Sequence, residues 1–294
     1  MNKIIRKKEI PELKMQDVGG AELPYLYYEG KEGEPPQFLF THATGFLPWL
    51  WHPIIEDIES PNQTWVPYIC NYRDCDPEKG GLAWGIIAED LFRFCRSQNI
   101  HNHLAIGHSM GATVLTIAAA LFGMKPRAMI LIEPIFLPEE FYSMKIGVKD
   151  HPLASKSIKR TNQWKNEQEA WAYLKSKSLF SDWDEKVLAL YLKYGMEKQK
   201  SGDLKLVCTP ESEAAMFMGG SNLNPWPLLD KLTCPVLVVE GEESSNKEFI
   251  DLPKAVSLLR QGRYKSVSGA GHLIPMQKPQ EVAQIIKEFL TELL

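Results

Sequence analysis

Short apolar runs, separated by polar stretches rich in turn-forming residues, recur along the chain. Runs of this length, rich in Val, Ile, Leu and aromatic residues, are typical of strands that are buried on both faces of a sheet. The pattern predicts six such strands, within residues 37–43, 65–74, 103–109, 127–134, 234–242 and 264–272.

Segments with helical periodicity alternate with these runs and cover residues 85–99, 110–123, 251–262 and 279–294. In the last segment Val282, Ile285, Ile286 and Phe289 fall on one face, as in an amphipathic helix. Strands that alternate with helices form a parallel sheet covered by helices. We therefore predict an α/β fold with a mostly parallel central sheet and helices on both faces.

The alternation stops after Pro134 and resumes near Pro225. The interval between them is rich in Lys, Glu, Trp and Tyr at helical spacing, which predicts a helical insertion. We expect a core formed by residues 1–136 and 221–294, with a cap over the ligand formed by residues 137–220. Five aromatic residues of this cap are expected to pack mostly within it: Trp164, Trp171, Trp183, Tyr191 and Tyr194.

Length, composition and net charge limit the classes of protein to which this chain can belong. A chain of 294 residues that is 44% hydrophobic can bury a large core, and its length suits one α/β domain with an insertion. The formal charge of -4 argues against a nucleic-acid partner, since basic residues cluster only in the short "IIRKKE" start. Without an apolar stretch of ~18 residues or a signal-peptide core, we expect no stable membrane insertion and a cytoplasmic location.

The cysteines and histidines do not follow metal-site spacings. Cys70, Cys75, Cys95, Cys208 and Cys234 are scattered and include no C-x-x-C pair. This argues against a disulfide framework and against a zinc site. We expect neither a metal nor a cofactor.

A Gly-x-Ser-x-Gly motif joins a predicted strand to a predicted helix, with Ser109 between Gly107 and Gly111. A sharp strand-to-helix turn needs small residues at both glycine positions and lifts the serine Oγ above the sheet. The helix N-terminus adds free N–H groups and a positive dipole end, which suit a developing oxyanion. Ser109 is therefore the predicted nucleophile.

A serine hydroxyl needs a base to take its proton. His272 lies in the glycine-rich stretch "SGAGH", after the last predicted strand and before the final helix. In the chain order Ser, acid, His, this histidine is the predicted base.

On these residues the chain resembles the α/β-hydrolase superfamily over nearly its whole length apart from the cap. The stretch "FTHATGF" looks like the family's His-Gly loop, with Ala43 where Gly is usual. The resemblance implies that the backbone N–H groups of Thr44 and Met110 form the oxyanion hole and that His42 is structural. The cap is similar to that of a bacterial "HATGF" subgroup and of fungal peroxisomal lipase-like hydrolases.

The triad acid has two candidate positions. Most members of the family carry it after the strand that reads "PVLVVEG" here, but the following loop, "GEESSNKEF", contains no aspartate. Glu242 or Glu243 could serve, although the usual offset falls on Ser244 and Ser245. The family's other position holds Glu133, whose burial at a strand end is costly unless a histidine pairs with it. We predict Glu133, with Glu243 as the alternative and an incomplete triad as the third possibility.

These residues predict a serine hydrolase of the esterase or lipase type. It would cleave a carboxylic ester, or a similar acyl bond, of a small and largely apolar substrate through an acyl-enzyme. An acyltransferase or a hydrolase of carbon–carbon bonds would share the same triad. A non-catalytic ligand receptor on the hydrolase frame is the alternative from another class.

Overall fold

A computed structural model describes residues 9–30, 36–59 and 62–293. The charged start "MNKIIRKK" lies outside the described residues. In chain order the strands are β1 (Lys14–Asp17), β2 (Glu22–Tyr28), β3 (Phe38–Thr41), β4 (Thr64–Pro67), β5 (Leu104–His108), β6 (Ala128–Ile132), β7 (Gln163–Trp164), β8 (Met196–Lys198), β9 (Leu204–Leu206), β10 (Val236–Gly241) and β11 (Gly262–Val267).

Within the described residues, eight strands form the central sheet, in the order β1-β2-β4-β3-β5-β6-β10-β11. From β4 to β11 the neighbours are parallel, whereas β1 and β2 extend one edge in antiparallel pairing. The mostly parallel sheet is as predicted. The two edge strands were not predicted: β1 is polar and exposed, and the short run "LPYLYY" of β2, interrupted by a proline, was not recognised as a strand.

In chain order the helices are α1 (His52–Ile58), α2 (Trp84–Ser97), α3 (Met110–Leu121), α4 (Ala154–Ile158), α5 (Glu167–Lys175), α6 (Ser178–Ser181), α7 (Glu185–Gly195), α8 (Pro210–Met218), α9 (Leu252–Leu258), α10 (Ile274–Gln277) and α11 (Pro279–Glu292). Helix α3 packs on β5 and on α2, and α1 packs on α11. The predicted α/β fold class is confirmed. No helix in the described ranges is both long and apolar enough to span a membrane.

The carboxyl ends of the parallel strands form one edge of the sheet. Strands β5 and β6 are buried along their whole length, as their continuous apolar sequences predict. Ser109 follows β5, Glu133 follows β6, and the loops after β10 and β11 reach the same edge. In open α/β sheets this edge is where ligands bind.

The interval from 137 to 220 contains α4 to α8 and a small antiparallel sheet of β7, β9 and β8. Three of its aromatic rings, those of Trp183, Tyr191 and Tyr194, pack outside it on the loop after β3. Trp183 lies edge-on to Phe46 at 5.3 Å between ring centroids, and Tyr194 stacks on Trp49 at 4.7 Å. The interval and the sheet therefore share one continuous hydrophobic core.

Candidate active site

Ser109 sits in the turn between β5 and α3 with backbone angles of φ 55° and ψ -122°. A positive φ is unfavourable for a residue with a side chain, and such strain is typical of functional sites. The turn is held because the Ser109 N–H donates to the carbonyl oxygen of Ile132 at 2.9 Å. The neighbouring strand thus fixes the conformation that presents the hydroxyl.

The two glycines beside Ser109 allow close packing. A Cβ atom on Gly107 would lie 2.6 Å from the Cα of Ala112, and one on Gly111 would lie 2.7 Å from the carbonyl oxygen of Thr41. Both obstacles are backbone atoms, which cannot move aside as a flexible side chain could. The helix can approach β3 and β5 this closely only with glycine at both positions.

A continuous chain of hydrogen bonds runs through His272. Its Nε2 lies 3.1 Å from Ser109 Oγ, and its Nδ1 lies 2.9 Å from Glu133 Oε2. The three side chains come from the ends of β5 and β6 and from the loop after β11. In this geometry the ring can accept the hydroxyl proton at Nε2 while the carboxylate fixes the proton on Nδ1.

Glu133 is 1% exposed and also has a positive φ, 49°. Two further donors hold its carboxylate: the Gly241 N–H at 2.7 Å from Oε1 and the Ser244 hydroxyl at 2.8 Å from Oε2. Its backbone N–H donates to Val239 at 2.8 Å. A buried carboxylate is tolerated when it is hydrogen-bonded in this way.

The alternative acids lie elsewhere. Glu242 and Glu243 are exposed, and Glu242 accepts a hydrogen bond from the hydroxyl of Ser268 at 2.6 Å. The backbone N–H of Glu243 donates to Ala270 at 2.9 Å. The structure thus brings Glu133, and neither of these residues, into contact with His272.

The two predicted oxyanion-hole residues are neighbours. The Thr44 hydroxyl lies 3.3 Å from the sulfur atom of Met110. Met110 is the first residue of α3, so its N–H has no acceptor within the helix. The pair stays a prediction, with its two residues side by side above the nucleophile turn.

Both ring nitrogens of His42, in the same loop, form hydrogen bonds. Its Nδ1 lies 2.8 Å from the carbonyl oxygen of Ala43, and the N–H of Ile69 donates to Nε2 at 3.1 Å. Burial lowers the pKa of His42 to about 4, so the ring is neutral at pH 7. These contacts suit the structural role that the resemblance implies.

Sequence reasoning missed three polar residues around His272. The His108 ring donates from Nε2 to the backbone oxygen of His272 at 2.9 Å, and burial holds the pKa of His108 well below its usual value. Ser244 binds Glu133, as described above. Asn246 Nδ2 lies 2.9 Å from His272 Nδ1. Ser244 and Asn246 belong to "GEESSN", where the polar residues could have indicated a supporting role.

A polar cluster from the 137–220 interval lies against the Thr44 loop. Arg160 pairs with Glu213 and donates to the Tyr191 hydroxyl at 3.1 Å. The Glu213 carboxylate lies so close to Gly45, which has φ +74°, that any Cβ there would overlap it. Only glycine is therefore compatible with this contact.

Other features do not add to the site. A cleft of about 300 Å³ is lined by residues of α1 and α7 and by Gln280 of α11, none of which belongs to the hydrogen-bonded chain. Across the described ranges, His, Cys, Asp and Glu nowhere gather in threes as a metal ion would require.

A parallel α/β sheet with a Ser–His–Glu chain at its carboxyl edge and a strained serine after β5 defines the class of α/β hydrolases. The chain belongs to the alpha/beta hydrolase family, whose model matches residues 38–285. This confirms the predicted superfamily.

Relatives that match at the level of sequence include a bacterial and a fungal protein. The "Putative esterase/lipase" of Haemophilus influenzae is 27% identical over 212 residues, which cover 72% of this chain and 68% of the relative. The abhydrolase domain-containing protein ACTT2 of Alternaria alternata is 25% identical over 226 residues, 64% of this chain and 82% of the relative.

Solved structures share the fold. E-2-(acetamidomethylene)succinate hydrolase superimposes with a TM-score of 0.79 at 19% identity, over 96% of this chain and 100% of that one. The peroxisomal α/β-hydrolase Lpx1 of Saccharomyces cerevisiae gives 0.76 at 15% identity, over 98% and 89% of the two chains.

Proposed function

We propose that the protein is a serine hydrolase that cleaves a carboxylic ester, or a similar acyl bond, of a small and largely apolar substrate. The observation that carries the proposal is the chain from Ser109 Oγ through His272 to Glu133, with contacts of 3.1 and 2.9 Å. The name of the Haemophilus influenzae relative describes an esterase or lipase, which supports the same reaction class.

In the proposed first step, Ser109 Oγ attacks the carbonyl carbon while its proton moves to His272 Nε2. A new O–C bond forms, and the carbonyl electron pair moves to the oxygen, where the N–H groups of Thr44 and Met110 bind it. The intermediate then expels the alcohol oxygen, which takes the proton from Nε2. Ser109 is left as an acyl ester.

In the second step, water gives a proton to His272 Nε2 as it attacks the acyl ester. The tetrahedral intermediate collapses, Ser109 Oγ leaves with that proton, and the acid is released. Throughout both steps the buried Glu133 carboxylate accepts from Nδ1 and stabilises the imidazolium.

The expected apolar substrate follows from the surroundings. Phe46, Phe136 and Leu273, on three segments near the sheet edge, are all buried, and Trp183 and Tyr191 pack on Phe46. Buried apolar side chains beside the sheet edge favour hydrocarbon groups in a substrate. We also propose that residues 137–220 act as a cap that selects the acyl chain.

A fluorophosphonate probe and a series of p-nitrophenyl esters of rising chain length test the proposal together. We expect the probe to add to Ser109, located by mass spectrometry, and the esters to be hydrolysed. Ser109→Ala should leave thermal unfolding unchanged and cost about four to six orders of magnitude in rate. Wild-type turnover in this variant, or an unlabelled wild-type protein without turnover, would contradict the proposal.

A further inference from the structure

Two side chains contact the same nitrogen atom of His272. Nδ1 lies 2.9 Å from Glu133 Oε2 and also 2.9 Å from Asn246 Nδ2. The two reach the ring from different elements: Glu133 follows β6, and Asn246 lies in the turn Ser245–Glu248 after β10. The proposed mechanism uses only the first contact.

The turn that carries Asn246 is tied to the carboxylate. Ser244 is 4% exposed; its hydroxyl donates to Glu133 at 2.8 Å and also accepts the backbone N–H of Asn246 at 3.4 Å. The backbone N–H of Gly241 donates to the other carboxylate oxygen. The segment 241–246 therefore holds Glu133 and the Asn246 side chain in one hydrogen-bonded unit around the ring.

An amide differs from a carboxylate in what it can offer Nδ1. Its NH₂ end donates to an unprotonated nitrogen, its oxygen accepts from an N–H, and half a turn about the Cβ–Cγ bond exchanges the two ends. The Glu133 carboxylate can only accept. The Asn246 amide can therefore bond to Nδ1 in both tautomers of the ring, whereas Glu133 favours the one with a proton on Nδ1.

We propose that Asn246 is a positioning residue for His272: its side chain shares Nδ1 with Glu133, so a carboxylate in place of its amide would orient the ring when Glu133 cannot. Because Asp and Asn have nearly the same shape, Asn246→Asp would bring a carboxylate oxygen to about the 2.9 Å at which the amide nitrogen now lies. This inference rests on the proposed function for its kinetic test only.

The kinetic test removes the carboxylate at position 133 and introduces one at position 246. Glu133→Gln alone removes the orienting charge, and Glu133→Gln with Asn246→Asp should recover at least about tenfold in kcat/KM on a p-nitrophenyl ester. The matched control is Glu133→Gln with Ser245→Asp, which adds the same charge at the adjacent exposed position. No recovery is expected there. Thermal unfolding of all three variants establishes that they are folded.

A second measurement does not depend on turnover. With ¹⁵N-labelled histidine, the Nδ1 proton of His272 should resonate far downfield in the wild type, move upfield in Glu133→Gln, and return downfield when Asn246→Asp is added. If no variant hydrolyses any ester, the function fails but this readout still tests the inference.

A separate variant tests the role of Asn246 in the wild-type protein. Asn246→Leu removes the contact and keeps similar bulk, so kcat should fall about three- to tenfold, the effect of one hydrogen bond, with KM unchanged. In the Glu133→Gln background, the inference would be overturned if Ser245→Asp restored kcat/KM as much as Asn246→Asp does. It would also be overturned if Asn246→Asp restored neither kcat/KM nor the downfield Nδ1 proton. An unchanged kcat in Asn246→Leu would overturn it as well.

Discussion

Glu133→Gln is the variant that tests the site most directly. The side chain keeps its size, but one carboxylate oxygen becomes an NH₂ group. Because the Gly241 N–H points at Oε1 from 2.7 Å and cannot rotate away, the amide oxygen must stay on that side. The NH₂ group then faces the Ser244 hydroxyl, which can reorient, and His272 Nδ1.

With no carboxylate left to accept a proton from Nδ1, the new NH₂ group at position 133 makes that nitrogen an acceptor. The ring proton then moves to Nε2, which can no longer take the proton of Ser109. Loss of the correct tautomer and of the buried charge should lower kcat by about two to four orders of magnitude, or about 3–5 kcal/mol of transition-state stabilisation.

The assay is steady-state hydrolysis of a short p-nitrophenyl ester, with urea unfolding to establish that the variant is folded. Glu243→Gln is the matched control, since this carboxylate is exposed and should change kcat by less than about threefold. If Glu243→Gln lost most of its kcat while Glu133→Gln kept wild-type activity, the acid would lie after β10 and the reasoning would be refuted.

Three further predictions concern stability, each checked by urea unfolding. Gly111→Ala should cost about 1–3 kcal/mol because its Cβ would meet backbone atoms at 2.7 Å, whereas Gly85→Ala in α2 should be neutral or stabilising; equal effects would be inconsistent with close packing at Gly111. Burial lowers the pKa of His103 to about 4, so the unfolded chain binds the extra proton and stability is lost as pH falls from about 6.5 to 4. His103→Leu should therefore shrink the loss between pH 7 and 5 by about 2 kcal/mol, and an unchanged slope would argue against a buried neutral ring. Arg160→Met should destabilise by about 3–5 kcal/mol by leaving Glu213 unpaired, and adding Glu213→Leu should restore most of it; additive losses would contradict this.

The sequence by itself determined the parallel strands of the sheet and the nucleophile turn. Apolar runs as short as β5 and β6, bounded by turn-forming residues, indicate buried strands, and the glycines at 107 and 111 indicate a sharp turn. Both signals are local: they depend on neighbours within a few residues. The edge strands β1 and β2 were not predicted: β1 is polar and exposed and pairs only with β2, and β2 is stabilised by pairing with β4, which is distant in the chain.

Only the tertiary structure decided which acid meets the histidine. Glu133 and Glu243 both follow strands of the same sheet, so their sequence contexts left the choice open. The strand order sets the outcome: β6 lies between β5 and β10, which brings the residue after β6 within reach of both Ser109 and the loop after β11. The contact of Ser244 with Glu133 likewise joins residues 111 positions apart, and that of Asn246 with His272 joins residues 26 positions apart. No local pattern encodes a distance across a sheet.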